Sequence, residues 1–309
     1  MSETLILLFF NIFIVLMLAL DLGIVQRRAH FPSMKEALGW SAIWISLALL
    51  FDVYVWFDLG RVKALEFITG YLVEQALSVD NVFVFIVILT YFAVPKENQH
   101  KVLFWGVLSA IVLRAAFIVA GASLVARFHW ILYLLGAFLI FTAIKLALQK
   151  ETEVHPERNP FVKYARKIFP ITGGYEDGKF FVRRDGKKFA TPLLLVLIMI
   201  ETTDIAFATD SIPAIFAITR DTIIIYTSNI FAVLGLRSLY FVVSGIMKEF
   251  RYLKYGLSVV LAFIGIKMLL EPIAEISISY SLLGIFAILL IAVVSSLVAD
   301  KMAPSGEKS

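Results

Sequence analysis

The sequence predicts an all-α polytopic membrane protein with about nine transmembrane helices, six of which form an inverted repeat of three plus three helices. Composition is the first observation, because 60% of the residues are hydrophobic, only 17% are charged and the mean hydropathy is +0.88. The second is a set of nine long apolar stretches, each near the roughly 20 residues that a helix needs to cross a bilayer. The stretches are continuously apolar rather than alternating, which favours helices over a β-barrel.

The apolar stretches divide the chain into five predicted regions. The stretches themselves cover residues 5–25, 37–57, 66–94, 102–126, 130–149, 191–219, 222–247, 255–271 and 277–299. Two N-terminal helices occupy residues 1–65, and a first three-helix repeat occupies 66–149. A linker follows at 150–190, then a second three-helix repeat at 191–271 and a last helix with its tail at 272–309. The linker is rich in charge and contains a candidate β-hairpin that turns at Asp185-Gly186.

The two predicted repeats share a pattern of charged residues inside apolar sequence. The four charged residues of the first copy and their counterparts in the second are Glu74, Asp80, Arg114 and Lys145, and then Asp204, Asp210, Arg237 and Lys267. The two acids are six residues apart in both copies. An ionised side chain at bilayer depth costs roughly 2.5 to 3.5 kcal/mol on insertion scales, so such residues usually line an ion or substrate path. Three helices per copy place the copies upside down relative to each other, which is typical of secondary transporters.

Lysine and arginine are distributed unevenly over the predicted loops. Twenty of the 28 fall on one side of the membrane, four on the other, and four inside it. The positive-inside rule therefore predicts an external N-terminus and a cytoplasmic linker and C-terminus. The same distribution explains the net charge of +4 without a nucleic-acid partner. The first stretch follows Glu3 rather than a basic segment, so we expect it to be retained as a helix.

The residue types exclude several kinds of metal site. The chain has no cysteine, so it contains no disulfide, thiolate ligand or cysteine nucleophile. Its four histidines fall in connecting segments or at helix ends, and we expect them to be solvated. Any metal would therefore be held by oxygen atoms, which suit manganese, calcium or magnesium.

The geometry of the acidic motifs leaves two alternatives open. At 100° per residue, Glu74 shares a helix face with Ser78 and Asn81, while Asp80 points about 120° away. Either the helix is locally unwound, as in discontinuous transporter helices, or the two acids serve separate steps such as metal binding and proton transfer. In the second motif, Pro213 cannot donate a hydrogen bond to the carbonyl of the residue four positions earlier, which leaves an oxygen free near Asp210.

The intramembrane bases have functional and purely structural interpretations. The four are candidates for charge pairing or for a proton path: Arg114, Arg237, Lys145 and Lys267. The two arginines could simply pair with the acids and hold the helices in register. The two lysines are near the ends of their stretches and could extend to the membrane surface.

On these motifs the chain resembles the TerC family of integral membrane proteins, and is most similar to its Alx-like members. The motifs are Gly70-Tyr-Leu-Val-Glu74, Ser78-Val-Asp80-Asn81-Val-Phe-Val, Glu201-Thr-Thr-Asp204 and Thr209-Asp210-Ser211-Ile-Pro-Ala-Ile-Phe. The resemblance implies a bacterial cytoplasmic-membrane protein linked to manganese export, with an older association with tellurite resistance. It also implies a metal path formed by Glu74, Asp80, Asn81, Glu201, Asp204, Asp210 and Ser211.

The expected function is export of divalent manganese in exchange for protons that neutralise the same carboxylates. Moving one charge against 100 mV involves roughly 2.3 kcal/mol, so export needs coupling, and the chain has no Gly-x-x-x-x-Gly-Lys-Ser/Thr loop for a nucleotide. We expect no permanently bound cofactor, and the partners are manganese ions, protons and the lipid bilayer. The oligomeric state stays open. The alternatives are transport of another hard cation such as calcium, and a scaffold or tellurite-resistance component that docks cytoplasmic proteins through the linker.

Overall fold

The structure is a computed structural model, and it describes residues 3–25, 32–148, 158–176, 178–184, 186–246, 252–274 and 276–302. This part of the chain forms ten α-helices and one antiparallel hairpin. The helices are α1 (Glu3–Val25), α2 (Met34–Asp58), α3 (Arg61–Tyr91), α4 (Lys96–Arg127), α5 (Ile131–Leu148), α6 (Pro160–Ile168), α7 (Pro192–Phe216), α8 (Thr222–Ile246), α9 (Leu253–Leu270) and α10 (Ile278–Met302). The strands are β1 (Phe181–Arg184) and β2 (Lys187–Ala190).

Nine of these described helices are long. Eight of the nine, all except α1, are long and apolar enough to cross a membrane. Helix α1 carries the shorter apolar stretch Leu5–Leu20. The outer surface of the bundle is apolar, since Phe9, Leu50, Phe141 and Leu290 are all more than half exposed. Acyl chains rather than water satisfy such a surface. The predicted class, all-α with about nine transmembrane helices, is confirmed.

Helices α3 to α5 and α7 to α9 form the predicted inverted repeat. Helix α3 packs against α8, its equivalent α7 packs against α4, and α5 packs against α9, as a two-fold axis between the copies requires. Gly70, in the first half of α3, lies beside Ile215 at the end of α7. Thr219, just after α7, donates a hydrogen bond of 2.5 Å to Glu66 near the start of α3. Helices α3 and α7 therefore run in opposite directions.

Small residues allow the two outer helices of the repeats to meet closely. A Cβ atom on Gly265 of α9 would lie 2.7 Å from the backbone oxygen of Gly136 on α5. A Cβ atom on Gly136 would lie 3.1 Å from the oxygen of Gly265. Close backbone approach of this kind is the usual basis of helix association in lipid. The two glycines therefore fix the contact between α5 and α9.

The remaining long helices lie outside the repeat. Helices α1 and α2 pack on α8, and α10 packs on α9 and α3. Ser33 begins α2 with a capping box, in which the Ser33 hydroxyl accepts from the backbone N–H of Glu36 and the Glu36 carboxylate accepts from the backbone N–H of Ser33. His100 differs from its expected solvated state, because α4 buries it against the ring of Phe241, with centroids 6.2 Å apart.

The linker folds onto one end of the bundle. Strands β1 and β2 pair with Arg184 opposite Lys187, which leaves a two-residue turn in which Gly186 has a φ of 75°. Asp185, the other expected turn residue, lies outside the described residues. The Tyr175 hydroxyl donates a hydrogen bond of 2.8 Å to the carbonyl of Phe92, after the end of α3. Burial raises the pKa of Tyr175 to about 12.

Candidate ion site between the two repeats

A fully buried arginine joins the two repeats. Arg114, on α4, donates from Nε and Nη2 to the two carboxylate oxygens of Asp204, at 3.1 and 2.9 Å. Its Nη1 donates to Oε1 of Glu74 and, at 3.4 Å, to the side-chain oxygen of Asn229. Glu74 on α3 and Asp204 on α7 are the equivalent first acids of the two copies. The arginine therefore connects one acid from each repeat.

This triad carries one positive and two negative charges in a dry environment. Glu74 and Asp204 are each 1% exposed, and Arg114 is 0% exposed. Burial of an ion costs several kcal/mol, so stable burial requires close opposite charges and hydrogen bonds. The two-pronged contact with Asp204 uses the planar guanidinium in its most favourable geometry. Glu74 and Asp204 are thus occupied by Arg114 in this arrangement.

The second acids of the two copies form a different pair. Asp80 on α3 and Asp210 on α7 are close enough to interact electrostatically. Asp210 accepts a hydrogen bond of 3.1 Å from the hydroxyl of Thr142. Lys254 and Lys145 act on Asp80 and Asp210 at longer range. Within the described part of the chain neither carboxylate forms a salt bridge, so this pair has oxygen atoms available.

Both helices that carry the acids are continuous. Helix α3 runs unbroken through Glu74 and Asp80, and α7 runs through Asp204 and Asp210 with Pro213 inside it. The alternative of a locally unwound helix is therefore not what the structure shows. Because the helix is regular, Glu74 and Asp80 point in different directions. Glu74 reaches Arg114, whereas Asp80 interacts electrostatically with Asp210.

Buried polar atoms without partners lie next to the acids. The hydroxyls of Ser78 and Ser211 and the amide nitrogen of Asn229 have no hydrogen-bond partner among the described residues, and all three residues are buried. Ser78 follows Glu74 by one helical turn, and Ser211 adjoins Asp210. An unsatisfied buried polar group costs about 1–3 kcal/mol, so water is the expected partner of all three groups, and the two hydroxyl oxygens can also contact a cation. Asn81, beside Asp80, is also buried.

Glu201 lies at the edge of this region. Its Oε1 accepts a hydrogen bond of 2.5 Å from Ser109 on α4, while its buried Oε2 has no partner among the described residues. The next residue, Thr202, accepts a hydrogen bond of 2.8 Å from the side-chain nitrogen of Asn159. Glu201 is one turn from Asp204. It is therefore placed between the triad and the linker.

The other predicted bases occupy unequal positions. Arg237 is buried on α8, and Lys145 lies near Asp210. Lys267 instead lines a cavity of about 890 Å³ at the opposite end of the bundle from the linker, with Lys63, Glu66 and other charged residues. The equivalent lysines of the two repeats therefore have different surroundings.

The metal path expected from seven of these residues stays a prediction. Within the described residues, no group of three His, Asp or Glu side chains is arranged to hold a metal ion. The structure instead divides the four duplicated acids into an arginine-bound pair and an open pair. Three residues were not predicted to belong to the site: Asn229, Ser109 and Thr142 contact Arg114, Glu201 and Asp210, respectively. A helical wheel of α5 offers one signal, since Thr142 lies three residues before Lys145.

Comparisons with known proteins agree with these features. Residues 59–304 match the family described as integral membrane protein TerC, and this range includes both repeats. An uncharacterized membrane protein of Myxococcus xanthus, STKORF319, is 49% identical over 96% of this chain and 93% of its own. Alx of Salmonella typhi is 50% identical over 92% of this chain and 91% of its own. Alx of Escherichia coli K12 is 48% identical over 91% of this chain and 90% of its own. Both are described as candidate membrane-bound redox modulators. No solved structure matches. The chain belongs to the TerC family of integral membrane proteins.

Proposed function

We propose that this protein is a secondary transporter that exports divalent manganese from the bacterial cytoplasm in exchange for protons. The observation that carries the proposal is the meeting of four duplicated carboxylates at the interface of an inverted repeat. Secondary transporters place their substrate and coupling ions at such an interface, near the middle of the membrane. One acid pair is bound by Arg114, and the other pair is open.

The open pair supplies the ligand chemistry that a hard dication prefers. Asp80 and Asp210 provide carboxylates, and Ser78, Ser211 and Thr142 provide hydroxyls nearby in the sequence or by contact. Manganese, magnesium and calcium all accept such oxygen ligands and retain water where protein ligands are few. A transported ion must also leave, so a partly assembled ligand set suits transport better than a closed site.

Charge balance supports coupling to protons. Two ionised carboxylates, Asp80 and Asp210, are neutralised equally by one dication or by two protons. Either state removes the cost of two uncompensated charges in the membrane, and the empty ionised state is the most costly one. Exchange of the two cargoes therefore avoids the costly state. Arg114 binds both Glu74 and Asp204, so these acids can hold the repeats together.

The predicted orientation and the membrane potential explain why export needs a coupling ion. The excess of lysine and arginine in the linker and at the C-terminus favours a cytoplasmic location for both. The inside-negative potential opposes export of a dication by roughly 4.6 kcal/mol at 100 mV, twice the value for one charge. Inward movement of two protons down the same potential offsets this cost.

The description of the Alx relatives as candidate redox modulators suggests a second interpretation. Direct thiol chemistry by this chain is excluded, because it contains no cysteine. A transporter of a redox-active metal ion would affect the redox state of the cell without such chemistry. The same transport assay therefore addresses both descriptions.

Proteoliposomes with a trapped pH-sensitive dye test the proposal. We expect manganese uptake into inside-out oriented vesicles to be accompanied by proton release from the lumen. Asp80→Asn and Asp210→Asn should each reduce the rate at least tenfold. Asp58→Asn, at the exposed end of α2, is the matched control and should transport normally.

Competition between cations tests whether the transported ion is manganese or another hard cation. Calcium or magnesium in tenfold excess should leave manganese uptake largely unchanged, whereas strong inhibition by calcium would assign the site to another hard cation. Absence of manganese flux in the wild type under any gradient would overturn the transport proposal. A phenotype in cells that survives Asp80→Asn but is lost when the linker hairpin is removed would favour a scaffold.

A further inference from the structure

The linker helix α6 has two chemically different strips besides the face that packs on α7. Val162 and Ala165 are buried against the bundle. An apolar strip, formed by Phe161, Tyr164 and Ile168, is 60%, 65% and 50% exposed. A basic strip, formed by Lys163, Arg166 and Lys167, is exposed on the far side of the helix. Spacings of three and four residues keep each strip on one face.

The position of α6 along the bundle places it at the level of the membrane. The side chain of Asn159 caps α6 and donates a hydrogen bond of 2.8 Å to Thr202. Thr202 is the eleventh residue of α7, which is roughly 15 Å along that helix. A helix of 25 residues is roughly 37 Å long, against roughly 30 Å of hydrocarbon. The start of α6 therefore lies inside the hydrocarbon layer when α7 spans it centrally.

The other end of α6 returns toward the membrane surface. Pro170, two residues after α6, accepts a hydrogen bond of 3.0 Å from the backbone N–H of Ala190. Ala190 lies two residues before α7 begins. The helix therefore follows the first half of α7 and ends at the level where α7 enters the membrane. Its apolar strip faces away from the protein at this depth.

We propose that α6 is an interfacial membrane helix whose apolar strip lies among acyl chains and whose basic strip binds the phosphates of anionic phospholipids. Helices with one apolar face, one lysine-rich and arginine-rich face and low overall hydrophobicity have this preference. The helix contains no acid that would weaken attraction to phosphate. Long basic side chains reach the headgroups while their methylene groups remain in the apolar layer. The proposal does not depend on which ion the protein transports.

The hydrogen bond between Asn159, at the start of α6, and Thr202 on α7 connects α6 to the helix that carries Glu201 and Asp204. Asn159 bonds to Thr202, and Glu201 is the adjacent residue. Glu201 in turn accepts a hydrogen bond from Ser109 on α4, the helix that carries Arg114. A displacement of α6 by lipid would therefore act, through Thr202, on the segment of α7 that carries Glu201 and Asp204.

Single-cysteine spin labelling tests the placement, because the chain has no native cysteine to interfere. Nitroxide labels at Tyr164→Cys and Lys167→Cys are compared in liposomes of phosphatidylcholine with 25% phosphatidylglycerol. Leu290→Cys, on the exposed face of α10, is the lipid reference. Gly173→Cys, where an added Cβ has open space, is the water reference.

We expect oxygen to reach the label at position 164 as it reaches the lipid reference, and a water-soluble nickel complex to reach the label at position 167. Equal nickel accessibility at positions 164 and 173 would overturn the placement. Dipolar broadening of the 164 signal at high protein density, lost on dilution, would assign the strip to a second copy of the chain and would also overturn it.

A second comparison tests the anionic lipid. Liposomes of pure phosphatidylcholine should raise nickel accessibility at position 164 at least twofold. The double variant Lys163→Gln/Lys167→Gln should remove the difference between the two lipid compositions. If the wild-type label has the same accessibility in both compositions, phosphate binding by the basic strip is refuted. Circular dichroism of each variant excludes misfolding as the cause.

Discussion

Replacement of Arg114 by methionine tests the triad most directly. The variant keeps a side chain of similar length but removes two hydrogen bonds to Asp204, one to Glu74 and one to Asn229. Glu74 and Asp204 are each 1% exposed, so water cannot replace the guanidinium without a rearrangement. Removal of one member of a buried ion pair costs about 3–5 kcal/mol, because the remaining charge is uncompensated. With two carboxylates left, we expect a loss near the upper value.

The five tryptophans allow thermal unfolding in detergent to be followed by fluorescence. A scaling of roughly 2–4 °C per kcal/mol converts a loss of about 5 kcal/mol into a fall in Tm on the order of 10–20 °C. Arg127→Met, at the exposed end of the same helix, is the matched control and should melt like the wild type. Adding Glu74→Gln and Asp204→Asn to Arg114→Met should restore at least half of the loss. Equal Tm values for Arg114→Met and Arg127→Met would show that Arg114 does not stabilise the buried acids.

Two further predictions concern packing and the linker. Gly265→Ala should destabilise the protein by about 1–3 kcal/mol, because the added Cβ would meet the Gly136 oxygen at 2.7 Å. Gly39→Ala is the control and should not destabilise it, since nothing lies within 4 Å of the added Cβ. Equal Tm values for these two variants would contradict this prediction. Tyr175→Phe loses a hydrogen bond worth about 1 kcal/mol and should speed proteolysis of the linker. Because burial raises the pKa of Tyr175 to about 12, the wild-type bond is fully present below pH 10 and is lost as the pH rises through 12. Equal cleavage rates in both proteins at pH 8 would exclude this contact.

Much of the fold could be predicted from the sequence because the membrane restricts the choices. Continuous apolar stretches of bilayer length have only one stable form, since each backbone group must be satisfied within its own helix. The inverted repeat followed from duplicated charges and an odd number of helices per copy. The structure confirms both, with α3 and α7 antiparallel and equivalent helices in equivalent contacts.

The partners of each charged residue could not be predicted in the same way. Spacing showed that Glu74 and Asp80 point in different directions, but it left open which of them meets a base. That choice depends on how α4 packs against α7 and α8, which is a matter of packing rather than of sequence period. Asn229 was missed for the same reason, because its contact with Arg114 crosses from α8 to α4. A buried histidine, His100, was missed because an apolar partner on a distant helix covers it.

The linker explains why two copies of one pattern have unequal surroundings. Helix α6 occupies the flank of the first half of α7. The two-fold axis of the repeat maps the first half of α7 onto the first half of α3, and Lys63 and Glu66 near the start of α3 line the cavity of about 890 Å³. The connection after α9 is too short to supply a second helix, since α10 begins at Ile278. The linker therefore covers one end of the repeat, whereas a cavity lies at the other end.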